Sequence, residues 1–162
     1  MKLTPGFTLV EILIVVALIA TLAMVAVPMG NSWTSSAESI NTKGVLTQAI
    51  SRAKSTAMRN GNKISETNAV TSVCVTSGKV EVREASGTVT SAHCSSNGGS
   101  ATWSSKIGTG LTIKENNQAL TCMCFSTKGL LTTAPSNCSS CAATSTFEFS
   151  GSGIENETIA IY

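Results

Sequence analysis

The sequence contains no aspartate and one histidine, and aromatic side chains make up only 4% of its 162 residues. Paired carboxylates, or a histidine beside a nucleophile, are the usual means of acid–base and covalent catalysis. Neither arrangement is well supplied here. The spacings typical of phosphate-binding loops and metal-dependent hydrolases are also missing. We therefore expect no enzymatic activity and no bound cofactor.

The chain is also poor in net charge. Its 11 basic and 9 acidic residues leave a formal charge of +2, which does not predict strong attraction to nucleic acid. The exception is a basic cluster formed by Arg52, Lys54, Arg59 and Lys63. The cluster keeps DNA binding open as an alternative role, although a solvated helix face explains it more simply.

What the sequence has in abundance is an apolar segment near its start. From Phe7 to Met29 nearly every residue is apolar, and no charged residue occurs between Ile12 and Met29. About 20 apolar residues suffice for a helix to span a bilayer. Lys2, before the segment, favours a cytoplasmic position for the N-terminal end. The sequence therefore predicts a single-pass membrane anchor.

Glu11 is the one acidic residue within this segment. A carboxylate on a membrane helix is costly and requires a partner. No basic residue lies within reach on the same helix, so the N-terminal amine of a neighbouring subunit is the simplest candidate. Glu11 thus predicts a contact between subunits.

Residues 6–19, which read Gly-Phe-Thr-Leu-Val-Glu-Ile-Leu-Ile-Val-Val-Ala-Leu-Ile, resemble the class III signal of type IV prepilins and type II secretion pseudopilins. The resemblance implies that a prepilin peptidase cleaves between Gly6 and Phe7 and then N-methylates Phe7. It implies that Glu11 and Phe7 act in assembly. It also implies a bacterial inner-membrane protein with a periplasmic head. Its partners would be other pilin or pseudopilin subunits, the prepilin peptidase and the inner-membrane assembly platform.

The helical pattern continues beyond the apolar segment, with a polar face opposite the apolar positions. These positions are Ala37, Ile40, Leu46, Ala49, Ile50, Ala53 and Ala57. Asn60-Gly61 is a helix stop signal, so we expect one helix from Phe7 to Arg59, about 80 Å long. Pro28 removes a backbone donor and predicts a kink in this helix.

After Gly61 the apolar period shifts toward two, as in strands. We predict strands at Thr71–Thr76, Lys79–Arg83, Thr88–Ala92, Leu111–Lys114, Ala119–Phe125, Thr146–Phe149 and Thr158–Tyr162. Turns are predicted at Ser77-Gly78 and Lys128-Gly129. Residues 95–110 are rich in serine and glycine and are predicted to form a long loop. The expected fold is α+β, a long helix packed on an antiparallel β-sheet.

These features divide the chain into four parts. Residues 1–6 are the leader, and residues 7–30 are the membrane-spanning and assembly half of the helix. Residues 31–60 form the amphipathic half, and residues 61–162 form the β-rich periplasmic head.

A second resemblance concerns the head. Residues 53–61, followed by Val73-Cys74-Val75, resemble the GspH/FimT group of minor pilins and pseudopilins. Trp103, residues 110–113 and residues 125–129 are similar to later landmarks of that group. The resemblance implies a minor subunit that primes or caps a type IV pilus or a type II secretion pseudopilus. The alternatives are a major pilin, or a tip subunit that binds DNA or a surface.

All six cysteines lie in the predicted head, at Cys74, Cys94, Cys122, Cys124, Cys138 and Cys141. Outside the cytoplasm three disulfides are the default. We predict a Cys74–Cys94 bond, with the other four cysteines forming two local bridges of unknown order. A zinc site on those four is the alternative. However, only one residue separates Cys122 from Cys124, fewer than zinc motifs usually have, so we expect no metal.

Overall fold

The structure, a computed structural model, describes most of the chain. The described residues are 6–76, 78–108, 110–132, 141, 146–151 and 157–160, without the side chains of residues 25–32, 35, 151, 157 and 159. They form, in chain order, α1 Leu9–Arg59, β1 Thr71–Thr76, β2 Lys79–Glu84, β3 Ser100–Lys106, β4 Leu111–Glu115, β5 Gln118–Ala119, β6 Cys122–Phe125, β7 Thr146–Gly151 and β8 Glu157–Ala160.

Both ends of α1 follow from local chemistry. Thr8 is extended, and its Oγ1 accepts a hydrogen bond from the Glu11 N–H at 3.3 Å, which satisfies a donor of the first turn. At the other end Asn60 adopts a left-handed conformation (φ 39°), and its N–H donates to carbonyls of the last turn. Asparagine tolerates this conformation better than most residues with a side chain. The helix therefore ends at the predicted stop signal and begins two residues after Phe7.

The helix is continuous through Pro28. The kink predicted at this residue stays a prediction. Among the described residues, no helical stretch combines the length and the apolarity that crossing a membrane requires. The membrane-spanning role predicted for residues 7–30 therefore also stays a prediction.

The strands form two four-stranded antiparallel sheets, where the sequence predicts one. Sheet A has the order β3-β2-β1-β6, and sheet B has the order β5-β4-β7-β8. In sheet A the β1–β2 pair places Val73 opposite Val82 and Val75 opposite Val80. Residues directly opposite each other point to the same face of a sheet. The β1–β2 valines therefore build one apolar face.

The helix and both sheets share a single core. The buried residues of α1 recur three or four positions apart, at Leu46, Ala49, Ile50, Ala53 and Ala57. They pack with Val80 and Val82 of sheet A and with Phe147 and Phe149 of sheet B. The small alanine side chains let α1 approach the sheets closely, and the fully buried phenylalanines fill the space between the layers.

Two of the seven apolar helix positions do not face this core. Ala37 and Ile40 are exposed, whereas Ser39 and Thr42 are buried at the same level of the helix. Ser39 and Thr42 continue the spacing of three or four residues that the buried positions from Leu46 onward follow, so they lie on the same face of α1. The Thr42 Oγ1 accepts a hydrogen bond there from the N–H of Gly108, in the loop before β4. Helix geometry, rather than the apolar pattern, thus decides which side of α1 faces the head here.

Two predictions for residues 85–110 are wrong. The predicted strand Thr88–Ala92 is a series of turns and bends. Part of the predicted loop 95–110 is instead strand β3, which pairs with β2 and has Thr102 as the extra residue of a bulge. Serine-rich segments have a weak strand propensity, so the pairing with β2, rather than the local sequence, produces this strand.

The predicted strand Ala119–Phe125 is also divided. Its first part belongs to β5 in sheet B and its second part to β6 in sheet A. Between them the Leu120 N–H donates to the Ile113 carbonyl at 2.8 Å, and the Val75 N–H donates to the Thr121 carbonyl at 2.9 Å. The chain therefore crosses from one sheet to the other at these two residues.

Glu81 on β2 pairs with two cations. It forms an ion pair with Lys79, and its Oε2 lies 3.4 Å from the guanidinium of Arg83. The hydrogen bond from Lys79, with the charges of both neighbours, holds the pKa of Glu81 below its usual range. A carboxyl whose pKa is lower in the folded state stabilises the fold above its unfolded pKa. That contribution is lost as the pH falls through the folded pKa.

We expect Leu46→Ala to lower the free energy of unfolding by about 2–5 kcal/mol, because it leaves a cavity at the fully buried centre of the helix–sheet contact. The measurement is guanidinium unfolding of the full chain in non-ionic micelles, followed by tryptophan fluorescence. Ile40→Ala is the matched control, since Ile40 is 67% exposed. Equal losses in the two variants would contradict this packing.

We expect Glu81→Gln to unfold at lower denaturant concentration than the wild type at pH 7, because the ion pairs of β2 are lost. The difference should shrink as the pH falls below about 4, where the wild-type carboxyl also becomes neutral. Glu66→Gln, on an exposed turn, is the control. A difference that stays constant from neutral to acidic pH would show that these charges do not stabilise the fold.

Candidate assembly site and cysteine cluster

The peptide bond between Gly6 and Phe7 lies outside the helix, because α1 begins only at Leu9. Its N–H and C=O are therefore not used in helical hydrogen bonds and remain available to another molecule. A Cβ built at Gly6 would meet no atom within 4 Å. Packing against the described residues thus does not require glycine at this position.

Glu11 occupies the third position of α1, in its first turn. The partial positive charge of a helix N-terminus stabilises a carboxylate there by about 0.3–1 kcal/mol. That is less than the roughly 2.5–3.5 kcal/mol that such a charge costs at the centre of a bilayer. Within the described part of the chain, no ion pair involves Glu11. In apolar surroundings this carboxylate still needs a positive partner.

The surface around Glu11 is apolar and exposed. Phe7 and Leu9 are 78% and 77% exposed, and Leu22, about three turns beyond Glu11, is 70% exposed. A groove of about 490 Å³ runs along the beginning of the helix, and it is lined by Phe7, Thr8, Leu9, Ile12, Leu13 and Val16. Single exposed apolar residues are ordinary, whereas a continuous apolar surface marks a contact with protein or lipid.

The three residues predicted for processing and assembly, Gly6, Phe7 and Glu11, thus lie together at one end of α1. Sequence reasoning does not single out Thr8, whose hydroxyl caps the helix and fixes its first turn. The sequence does contain a signal for this cap. A threonine that is followed three residues later by a glutamate, before an apolar run, is the pattern of a capping box.

Five of the six cysteines are within the described residues. Cys74, on β1, is bonded to Cys94, with a Cα–Cα distance of 5.4 Å, which is the pair expected from sequence. Cys124, on β6, is bonded to Cys141. Cys138 lies outside the described residues, so the bridges of the last four cysteines are seen only in part.

These cysteines lie on the face of sheet A that is turned away from α1. Cys122 and Cys124 alternate along β6 with the core residues Met123 and Phe125, so they point to the opposite face. There they form a small buried cluster with Ala69. Each disulfide is expected to contribute roughly 2–4 kcal/mol by restricting the unfolded chain. The cysteines thus cover the outer face of sheet A, as α1 covers the inner one.

The sulfurs of Cys122, Cys124 and Cys141 lie within 4.8 Å of one another, a spacing that three ligands of one metal ion could have. However, zinc binds thiolates, and the sulfurs of Cys124 and Cys141 are bonded to each other. In this bonded form the two sulfurs are not thiolates, and the expectation that the cluster binds no metal stays a prediction.

The basic cluster extends from the last turns of α1 into the turn that follows the helix. The guanidinium of Arg52 lies over the ring of Trp103, 5.6 Å from its centroid, and so joins α1 to β3. Arg59 is at the end of α1, and Lys63 lies beyond it in the following turn, both exposed. Arg52 thus has a structural contact within the head.

Residues 1–27 match the prokaryotic N-terminal methylation motif. This part of the chain is therefore similar to the N-terminal region of proteins of the type IV pilin or pseudopilin type. The match includes Gly6, Phe7 and Glu11, and it ends before the amphipathic half of the helix and the head. No curated protein and no solved structure gives a match to the chain.

We expect Thr8→Val to loosen the first turn of α1, because the cap is lost at a cost of about 0.5–2 kcal/mol. Amide hydrogen exchange of the full chain in micelles should become faster at Val10 and Glu11. Thr21→Val is the matched control, since the Thr21 hydroxyl bonds the Leu18 carbonyl within the helix and caps nothing. Unchanged exchange in the first turn of Thr8→Val would exclude a capping role.

Proposed function

We propose that this chain is a minor pilin or pseudopilin, a non-enzymatic structural subunit that primes or caps a type IV pilus or a type II secretion pseudopilus. The proposal rests on the start of α1. There, a Gly6–Phe7 bond outside the helix and a capped turn bearing Glu11 adjoin an exposed apolar helix. Such a helix is stable only within lipid or beside other helices.

In this proposal a prepilin peptidase cleaves between Gly6 and Phe7 and methylates the new N-terminus. Residues 7–30 then hold the subunit in the inner membrane, with the head in the periplasm. Cleavage leaves Phe7 as the first residue, only four positions from Glu11, so two subunits side by side can pair the amine of one with the carboxylate of the other. This pairing removes the cost of an isolated charge in an apolar environment.

The structure of α1 explains how a contact in the membrane could position the head. The first half of the helix is exposed, while Leu46, Ala53 and Ala57 in the second half are fully buried in the core of the head. Because both halves belong to one continuous helix, a subunit contact made by the first half also fixes the head. Assembly of the filament and placement of the head are therefore one event in this proposal.

A minor role is favoured over a major one by the resemblance of the head to the GspH/FimT group. The residues that carry it occupy defined positions of the fold. Residues 53–61 form the last turns of α1 and its stop, residues 73–75 lie in β1, and residues 110–113 lie at the start of β4. Subunit counting in sheared filaments distinguishes the two roles, since a major pilin would be the predominant protein.

We expect Glu11→Ala to be cleaved and methylated normally but to enter filaments at least about ten-fold less than the wild type. In this variant the Phe7 amine of the neighbouring subunit stays an unpaired charge in apolar surroundings, and a loss of about 1.4 kcal/mol corresponds to a factor of ten. The measurements are the intact mass of the membrane-bound subunit, which gives its N-terminus, and the amount of subunit in sheared filaments.

Glu38→Ala is the matched control, because Glu38 is an exposed carboxylate on the same helix, close to the head. It should enter filaments like the wild type. Undiminished incorporation of Glu11→Ala would refute the pairing. A mature protein that still begins at Met1 would refute the proposed processing as well.

A further inference from the structure

We propose that Cys122, Cys124 and Cys141 form a disulfide-exchange centre, in which Cys141 alternates between Cys124 and Cys122 as its bonded partner. The proposal concerns the head alone and does not depend on the proposed function. It rests on the positions of three sulfurs at the edge of sheet A.

The backbone and the side chain of Cys141 have different partners on β6. Its backbone forms a parallel bridge with Cys122, whereas its sulfur is bonded to Cys124, two residues further along β6. The Cys122 Sγ lies 3.0 Å from the Cys141 Sγ. Because Cys122 and Cys124 share one face of the strand, Cys141 can reach either sulfur without a change in the register of β6.

Cys141 is also the most accessible of the three. It is half-buried, whereas Cys122 and Cys124 are buried. It lies at the side of a cavity of about 430 Å³, whose other walls include Glu115, Asn116, Gln118 and Thr121. A small thiol can therefore approach through this polar cavity, and access is one of the factors that set the rate of exchange.

The exchange is a substitution at sulfur with no net oxidation. The Cys122 thiolate attacks the Cys141 Sγ, the Cys122–Cys141 bond forms, the Cys141–Cys124 bond breaks, and Cys124 leaves as a thiolate that takes up a proton. Where Cys122 starts in a bond with another cysteine, the thiolate of a low-molecular-weight thiol such as glutathione first attacks the sulfur of that other cysteine. A mixed disulfide forms there, the bond to Cys122 breaks, and Cys122 leaves as the thiolate. Exchange moves the attachment of residue 141 by two residues, about 7 Å along β6.

Met123 lies between the two alternative partners, which makes the test direct. Cyanogen bromide cleaves after methionine, so it separates a fragment of residues 59–123, with Cys122, from a fragment of residues 124–162, with Cys124 and Cys141. A Cys122–Cys141 bond links the two fragments, whereas a Cys124–Cys141 bond lies within the second. The sample is the full-length Cys138→Ser variant in micelles, incubated at neutral pH with a trace of reduced glutathione and quenched in acid.

We expect linked and separate fragments together, each more than about a tenth of the protein, because the Cys141 sulfur lies within reach of both partner sulfurs. Only linked or only separate fragments would mean a fixed pairing and overturn the proposal. Adding Cys122→Ser should leave all fragments separate, and adding Cys124→Ser should link them all.

Should Cys138→Ser fail to fold, the wild-type chain is treated in the same way. Tandem mass spectrometry then shows whether Cys141 is found in both bonds, as expected, or in one, which would overturn exchange.

Discussion

The structure depends on one helix that meets two different environments. In its second half α1 buries Leu46 and a row of alanines against the two sheets, and this contact holds the head together. In its first half the same helix exposes apolar side chains on all sides. Under the proposed function lipid or neighbouring helices cover the first half, as the sheets cover the second. The helix is continuous through residue 28, so the two halves form one structural element.

The head has few large apolar residues, and it compensates with contacts of other kinds. The hydroxyl of Thr71 donates to the Ala53 carbonyl and joins β1 to the helix through a buried hydrogen bond. Arg52 covers the ring of Trp103 at the outer strand of sheet A. The remaining face of that sheet is closed by cysteines. With helix on one side and disulfides on the other, β1 is buried on both faces, as its burial pattern shows.

The features that could be predicted from sequence are those set by neighbouring residues. The end of α1 at Asn60 and the β1–β2 pairing depend on residues close together in the chain. The strand β3 could not be foreseen, because a serine-rich segment becomes a strand only when β2 supplies the hydrogen bonds. Likewise, the hydrogen bond that the buried Thr42 accepts comes from Gly108, 66 residues away.

The sequence by itself determined the long helix, its end at Asn60, the positions of most strands along the chain and the grouping of Gly6, Phe7 and Glu11, because each rests on spacing along the chain. Only the tertiary structure decided that the strands form two sheets and that three sulfurs from β6 and residue 141 meet. The physical reason is that alternation specifies which face of a strand is apolar but not which strand pairs with which. Such pairing is set by the shared core and by loop closure.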